Sequence, residues 1–181
     1  MTEGIVRRSP EPYPEPVNSL VREHMPATYF DEYQGLRVEL LDVLSDGDLE
    51  TTLGGTTETL GWICREIGEI EHAYAASFRT FRQTFDYRHA DPTVEHSVSA
   101  LRTWYAELDR DLMTAVESLT EDDIGSRRIV RDDFEAEFFS PLPAVQLDTY
   151  REALLLFYGK ASVYLRALGR PLPGHWPDWI G

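Results

Sequence analysis

Five histidines and one cysteine are the side chains of this 181-residue sequence best suited to metal binding or nucleophilic chemistry. Glu69 and His72 have the Glu-x-x-His spacing with which di-iron helical bundles hold their metal ions. That chemistry needs the motif twice, together with two more inward glutamates. The nearest second copy, Asp86 and His89, has the shorter acid and lies at the end of a predicted helix. A di-iron site is therefore not expected.

The positions of the other histidines and of the cysteine do not predict a metal site or a nucleophile either. No histidine falls on the apolar positions that would point into a helical bundle, so we expect all five at its surface or rim. They are His24, His72, His89, His96 and His175. Cys64 adjoins Ile63 and Ile67 and is expected to be a small buried residue, and a single cysteine excludes an internal disulfide. No phosphate-binding loop, nucleophile elbow or dinucleotide fingerprint occurs.

Glu66 is the carboxylate that the sequence places best for ligand binding. It follows Trp62 by four residues, about one helical turn, and adjoins the apolar stripe of the same predicted helix. In that position it would face a cleft between helices. The alternative is a carboxylate at the rim of the bundle, paired with an arginine.

Four segments carry apolar residues at spacings of three and four, which is typical of amphipathic helices. They span residues 26–44, 57–84, 91–119 and 144–168. The apolar stripe of the second segment is Leu60, Ile63, Ile67, Ile70, Tyr74, Phe78 and Phe81. The third has a heptad repeat of Val94, Val98, Leu101, Tyr105, Leu108, Leu112, Ala115 and Leu119. The pattern predicts an all-α fold, an antiparallel four-helix bundle.

The fourth predicted helix is apolar on two faces. Beside its main stripe it carries Leu155, Tyr158 and Leu165, so it needs a cover on a second side. The C-terminal tail, the N-terminal arm or a second subunit could provide that cover. Gly159 in the helix interior is expected to permit the close approach of another helix.

Outside the bundle, the sequence predicts an extended arm and a short hairpin. Residues 1–25 contain alternating prolines and are expected to be the arm, and residues 26–181 the bundle with an irregular C-terminal tail. The arm is either a solvated tail or, as we favour, packs on the domain or on a second subunit, because Tyr13, Val17, Leu20 and Val21 are costly to leave in water. Two alternating runs, 128–131 and 134–138, are candidates for the hairpin. The tail is expected to pack Trp176 and Trp179 on the bundle.

The charge of the chain limits the partners that it can have. It carries 17 Lys and Arg against 32 Asp and Glu, a formal net charge of −15. A surface this acidic repels phosphate groups, so nucleic acid and anionic membranes are not expected as partners. We find no apolar run that could span a bilayer or act as a signal peptide, so a cytoplasmic protein is expected.

Two runs resemble the DinB/YfiT-like family of four-helix bundles: residues 60–71, and residues 157–169 followed by Pro171 and Pro173. The resemblance implies an antiparallel bundle that is often a homodimer. In many members one histidine of the second helix and two of the fourth hold a divalent metal. Characterised relatives transfer or isomerise groups with low-molecular-weight thiols such as bacillithiol or mycothiol, and many others have no known activity.

The sequence departs from this family pattern at the metal ligands. The histidine position of the second helix falls on Glu66, and the pair of the fourth helix falls on Ala153 and Phe157. Alanine and phenylalanine have no atom that can bind a metal, and one carboxylate is not enough. Residues 148–170 contain no histidine. Neither a metal nor another cofactor is therefore expected.

Three hypotheses follow for the function, and whether the chain is an enzyme stays open. We favour a metal-free, small-molecule-binding or stress-related homodimer, whose pocket is lined by Trp62, Glu66, Phe157 and Tyr158. The alternative is a thiol-dependent transferase or metal-dependent hydrolase with an unusual metal site, formed by Glu66 with His72 or Asp148. The third is an interaction protein whose acidic face binds a basic partner, although acidity alone is typical of a solvated surface.

Overall fold

The computed structural model describes residues 18–25, 27–132 and 139–180, and these residues form an all-α protein. The helices are α1 Ser19–His24, α2 Ala27–Val43, α3 Asp46–Leu49, α4 Leu60–Thr80, α5 Val98–Glu117, α6 Glu121–Ser126, α7 Pro143–Ala167 and α8 Trp176–Trp179. A 3-10 helix covers Pro92–Glu95, and strands β1 Arg82–Gln83 and β2 Val130–Arg131 have two residues each. Helices α2, α4, α5 and α7 form the bundle, so the predicted all-α four-helix bundle is confirmed.

The helix ends follow from local capping. The Thr59 side chain accepts from the Trp62 amide and starts α4 at Leu60, three residues after the predicted start at residue 57. The helix ends at Phe81, whose backbone has the left-handed φ of 56°. Asp91 caps only the 3-10 helix, and Ser97 caps α5, so the predicted third helix begins in two steps.

Helices α4 and α5 run in the same direction. The Tyr105 hydroxyl in the first half of α5 donates to the Cys64 carbonyl in the first half of α4. Asp111 in the second half of α5 pairs with Arg79 near the end of α4. Helix α7 runs against α4, because its end contacts Glu58 and its beginning contacts Ser77. Residues 81–97, here called the crossover segment, therefore return along α4 to its start. The order of directions is not a simple up-and-down alternation.

Two glycines allow the chain to pass close to α4. A Cβ on Gly61 would overlap the Glu95 backbone at the end of the crossover segment, and a Cβ on Gly68 would overlap the Trp104 ring of α5. The two glycines are seven residues apart and lie on one face of the helix. This face of α4 is therefore shaped for its neighbours by the absence of side chains.

The last residues of the predicted arm belong to the bundle. Residues 19–24 are the helix α1, not extended chain, and Leu20 and Val21 are buried. The Asn18 side chain caps α1 and also donates to the Val116 and Leu119 carbonyls at the end of α5. Tyr13 and Val17 lie outside the described residues.

The predicted hairpin is not seen as such. Val130 and Arg131 form a strand, but it pairs in parallel with Arg82 and Gln83 at the start of the crossover segment. The other candidate strand, residues 134–138, lies outside the described residues. The small sheet therefore joins the segment after α4 to the segment before α7.

The second apolar face of α7 is covered in part by the C-terminal tail. The buried Trp176 ring packs against Tyr158 at 5.2 Å, and its indole N–H donates to the Leu36 carbonyl at 2.9 Å. The close helix approach expected at Gly159 is not found within one chain, because apart from the backbone of its own helix no described atom lies within 4 Å of where its Cβ would be. Among the described helices, none is long and apolar enough to cross a membrane.

Candidate functional site

A cleft of about 540 Å³ lies between α4 and the crossover segment. It is lined by Trp62, Arg65, Glu66, Glu69, Ile70, Phe85 and Arg88. The first five belong to one face of α4, over a little more than two turns, and the last two belong to the crossover segment. The cleft is formed because the crossover segment runs alongside α4.

Glu69 and Arg65 fasten the crossover segment to α4. A single oxygen of Glu69 accepts from the Arg65 Nε at 2.8 Å and from the His89 amide at 2.9 Å. The Arg65 guanidinium also donates to the Glu95 carboxylate and, at 3.1 Å, to the His89 carbonyl. The pKa of Arg65 is raised by these carboxylates, with the Glu95 hydrogen bond as the main cause. One wall of the cleft is thus held in place by a charged network.

Trp62 and Glu66, two of the predicted site residues, lie together in this cleft. Trp62 is 36% exposed, which is unusual for an indole and makes its ring available to a ligand. Glu66 is half-buried, and its Oε2 lies 3.6 Å from the Lys160 Nζ of α7. The predicted arginine partner of Glu66 is therefore a lysine.

Phe157 and Tyr158, the other two predicted site residues, lie in the core and not among the residues that line the cleft. The Tyr158 hydroxyl donates to the Tyr33 carbonyl, and burial raises the pKa of Tyr158 above its usual value. The structure therefore brings together two of the four residues that the sequence grouped.

A second polar cluster lies inside the bundle, where each of the four long helices contributes to it. Arg37 of α2 pairs with Glu71 of α4 and, at 2.6 Å, with Asp109 of α5. The Gln34 amide donates to Asp109 at 2.7 Å and to the Tyr150 hydroxyl of α7 at 2.8 Å. Glu71 is 0% and Arg37 1% exposed, and Asp109 forms the partly exposed edge of the cluster.

The charges of this cluster depend on one another. Burial raises the pKa of Glu71 to about 7, although the Arg37 guanidinium favours its ionised form. Burial also opposes the charge of Arg37, but Glu71 and Asp109 hold its pKa well above the usual value. Two carboxylates around one guanidinium carry an excess negative charge, and a proton on Glu71 removes it.

The sequence indicates the position of Glu71 in this cluster by helical spacing, but the predicted apolar stripe of α4 did not include it. Cys64, Ile67, Glu71, Tyr74 and Phe78 recur at spacings of three and four, and all are buried. The predicted stripe took Ile70 in place of Glu71, because isoleucine is the more apolar residue. In the structure Ile70 turns to the cleft, and Glu71 points into the bundle.

The side chains do not fit the metal that the family resemblance implies. Ala153 and Phe157 offer no donor atom, and Glu66 is paired with Lys160. The alternative partners lie elsewhere, since His72 stacks on Tyr87 and Asp148 pairs with Arg151. Within the described residues, no group of three or more His, Cys, Asp and Glu side chains could hold a metal ion.

Cys64 is buried, as its position beside Ile63 and Ile67 suggested. Burial raises the pKa of its thiol to about 12, which leaves little thiolate at neutral pH. The carbonyl of Cys64 accepts from the Tyr105 hydroxyl, so the residue helps to join α4 to α5. The surroundings are those of a core residue and not of a nucleophile.

Comparison with solved structures identifies the fold. The crystal structure of a DinB-like protein, YjoA from Bacillus subtilis, matches with a TM-score of 0.63 and 15% sequence identity, over 87% of this chain and 98% of that chain. Similarity at this level shows that the chain has the DinB-like fold, as the sequence resemblance predicted. No protein-family model and no curated protein matches the chain.

Proposed function

We propose that this DinB-like bundle is a small-molecule-binding protein, and that the ligand binds in the cleft between α4 and the crossover segment. The observation that carries the proposal is the cleft itself, about 540 Å³ with an exposed tryptophan at its wall. Pockets of a few hundred Å³ with apolar walls and a few polar groups are typical ligand sites. Ligand binding here needs no metal, because the donor set beside Glu66 does not fit one.

The proposal is tested with nitrogen-15-labelled protein and four phenyl compounds: 2-phenylethanol, phenylacetate, 2-phenylethylamine and phenylalanine. Each tryptophan indole N–H gives its own NMR signal, and the Trp62→Phe variant identifies that of Trp62. We expect at least one compound to shift the Trp62 signal in a saturable way, while the signals of the buried Trp104 and Trp176 stay in place.

Two matched variants locate the binding site. Phe85→Ala removes an apolar side chain from the cleft and should weaken binding, whereas Val38→Ala removes an exposed one from α2, outside the cleft lining, and should not. If no compound shifts the Trp62 signal, or if both variants weaken binding equally, the proposal is wrong. A stoichiometric metal in protein purified without chelator would overturn its metal-independent part.

We also propose that the protein is a homodimer through the outer face of α7. This face exposes Val145, Leu156 and Val163, and Leu156 is 70% exposed. The spacings of 11 and 7 put the three residues on one side of the helix, and Gly159 leaves room there for another helix. In a second, antiparallel copy centred on Leu156, the acidic Glu152 comes level with the basic Lys160 of the other copy.

Light scattering on a sizing column tests this interface. We expect the wild-type protein to have twice the 20.8 kDa mass of the chain, and the Leu156→Glu variant to have the mass of one chain. Val38→Glu, at an exposed position on α2, is the control and should remain a dimer. A wild-type mass of 20.8 kDa at micromolar concentration would refute the dimer.

A further inference from the structure

The cleft has four charged side chains. Arg65 and Glu69 are engaged in hydrogen bonds that hold the crossover segment, whereas Arg88 and Glu66 are more accessible. Arg65 donates through Nε, Nη1 and Nη2 to Glu69, Glu95 and the His89 carbonyl. Glu69 accepts from Arg65 and from the His89 amide and also faces Arg88. These two side chains hold the crossover segment, so they offer little to a ligand.

Arg88 is the basic group of the cleft that a ligand can reach. Its Nη1 donates to the Phe85 carbonyl at 2.8 Å and to the Tyr87 carbonyl at 2.6 Å, which holds the guanidinium at the cleft wall. Nη1 also lies 3.7 Å from the Glu69 carboxylate, and the side chain is largely exposed. The other nitrogens of Arg88 face no partner among the described residues, and a guanidinium held in this way suits a carboxylate.

Glu66 is the acidic group that a ligand can reach. Its nearest cation is the Lys160 Nζ at 3.6 Å, which is an ion pair but too long for a good hydrogen bond. The lysine is itself mostly exposed, so it can move away at small cost. Glu66 can therefore accept from an ammonium group of a ligand.

The distance between these two groups suits a small ligand. Glu66 and Glu69 are three residues apart on α4, so their Cβ atoms are about 5–6 Å apart. Because Arg88 lies beside the Glu69 carboxylate, it is about one helical turn from Glu66. An α-amino acid carries ammonium and carboxylate on one carbon, and with a hydrogen bond at each end it spans about 8 Å.

The apolar part of the cleft supplies a place for a side chain. Trp62 lies one turn before Glu66 and Ile70 one turn after it, and Phe85 faces them from the crossover segment. Aromatic and branched side chains that are partly exposed in water gain free energy when an apolar group covers them. The cleft therefore combines an apolar wall with one accessible charge of each sign.

Ligands of a single charge fit this combination less well. A carboxylate without an amine would meet Arg88 but would also face Glu66 and the repulsion of a protein with net charge −15. An amine without a carboxylate would meet Glu66 but would compete with Lys160 and face Arg88. A zwitterion has no net charge and can satisfy both groups.

We infer that the cleft binds an amino-acid-like zwitterion with an apolar side chain, its ammonium on Glu66 and its carboxylate on Arg88. This inference rests on the proposed function, since it names the ligand class of the same cleft. The four phenyl compounds test it, because they share one ring and differ in charge: neutral, anionic, cationic and zwitterionic. We expect phenylalanine to bind about fivefold more tightly than phenylacetate or 2-phenylethylamine, the worth of one exposed ion pair, and about 25-fold more tightly than 2-phenylethanol, which forms neither pair.

Two variants that each remove one charge should weaken different compounds. If Glu66 and Arg88 only stabilised the fold, both variants would weaken all compounds alike. Glu66→Gln should weaken phenylalanine and 2-phenylethylamine about fivefold and leave phenylacetate unchanged or tighter. Arg88→Gln should weaken phenylalanine and phenylacetate similarly and spare 2-phenylethylamine. Lys160→Met removes the competing cation and should tighten both amines.

The outcomes separate this inference from the proposed function. If none of the four compounds shifts the Trp62 signal, the cleft is not a binding site for such molecules and both ideas fail. If compounds bind but phenylalanine is not the tightest, or if the two variants weaken all compounds alike, the zwitterion is wrong while ligand binding stands. Circular dichroism of each variant checks that its helix content equals that of the wild type.

Discussion

Arg37 holds a positive charge inside the bundle with almost no contact with water. Removing one partner of a buried ion pair leaves the other charge without compensation, which usually costs about 3–5 kcal/mol. We therefore predict that Arg37→Met lowers the free energy of unfolding by this amount in a denaturant titration at neutral pH, because Glu71 and Asp109 lose their cation.

A matched control separates burial from charge. Arg102 on α5 pairs with Asp42 on α2 at 2.7 Å, but both side chains are exposed. Arg102→Met should therefore change the free energy of unfolding by less than about 1 kcal/mol. Equal losses in the two variants would mean that the Arg37 cluster contributes no more than a surface ion pair.

Glu71 should make stability depend on pH in the opposite direction from an ordinary salt-bridged carboxylate. Its pKa is about 7 in the folded protein against 4.5 for the free side chain. Between these values the folded state holds a proton that the unfolded state has lost, so stability falls as pH rises, by at most about 1.4 kcal/mol per pH unit. The groups around Glu71 are Arg37 and Gln34 of α2, Asp109 and Tyr105 of α5, and Tyr150 and Tyr158 of α7.

The Glu71→Gln variant isolates this effect from the other carboxylates. The neutral amide of the variant resembles the protonated glutamate, so the variant and the wild type should have equal free energies of unfolding near pH 4.5. By pH 8 the variant should be the more stable of the two. A difference that stays constant from pH 4.5 to 8 would show that Glu71 has an ordinary pKa.

At the residue scale, the sequence predicted the pair in the cleft but not the cluster in the bundle. Trp62 and Glu66 are neighbours on one helix face, and helical spacing alone predicts that. Arg37, Glu71 and Asp109 come from three helices, and a charged residue at an inner position looks like an error in an apolar stripe. Only the packing of the four helices shows that these charges compensate one another.

At the scale of the element, α4 depends on glycines for its contacts. Gly61→Ala and Gly68→Ala would each place a methyl group inside the Glu95 backbone or the Trp104 ring. We predict that each lowers the free energy of unfolding by about 1–3 kcal/mol, the usual cost of overpacking, measured by denaturant titration.

Gly159→Ala is the control for helix propensity. In the Leu156→Glu background, where the proposed dimer is absent, no other described element lies near the missing Cβ of Gly159, so alanine should stabilise α7 by about 0.5–1 kcal/mol. If the three alanine variants changed the free energy of unfolding equally, the close contacts at Gly61 and Gly68 would not affect stability. A loss at Gly159 confined to the dimer would instead indicate a helix packed there from a second copy.

The long helices were predictable as elements, but their directions were not. The predicted segment 144–168 is within a residue of α7, because Pro143 starts the helix and Gly169 follows it. The parallel course of α4 and α5 depends on the crossover segment, whose irregular backbone has no repeating pattern to read. The strand pairing of Val130 with Arg82 also joins residues far apart in sequence, which local patterns cannot indicate.

At the scale of the whole molecule, the charge of −15 should oppose compaction. Salt screens this repulsion more than it weakens the buried pairs. We predict that raising NaCl from low concentration to about 0.5 M raises the midpoint of thermal unfolding by at least about 2 °C, the equivalent of roughly 1 kcal/mol for a chain of this size.

The same experiment close to the isoelectric point of about 4.6 is the control, because the net charge is then near zero and the effect of salt should shrink. A midpoint that falls with salt at neutral pH would show that surface ion pairs outweigh the overall repulsion.

The acidity was predictable from composition, and the fold class from the spacing of the apolar residues. The exposed apolar face of α7 was not predicted, because Val145, Leu156 and Val163 belong to neither of the two apolar stripes of that segment.

Both walls of the cleft come from one uninterrupted stretch of chain, residues 62–88. Helices α2, α5 and α7 support this stretch, but none of their described residues belongs to the lining. Codon changes confined to the lining positions Trp62, Glu66, Ile70, Phe85 and Arg88 would alter the ligand preference, while the buried residues of α4 kept the bundle intact. The same stretch is accordingly the place to graft a new specificity onto this fold.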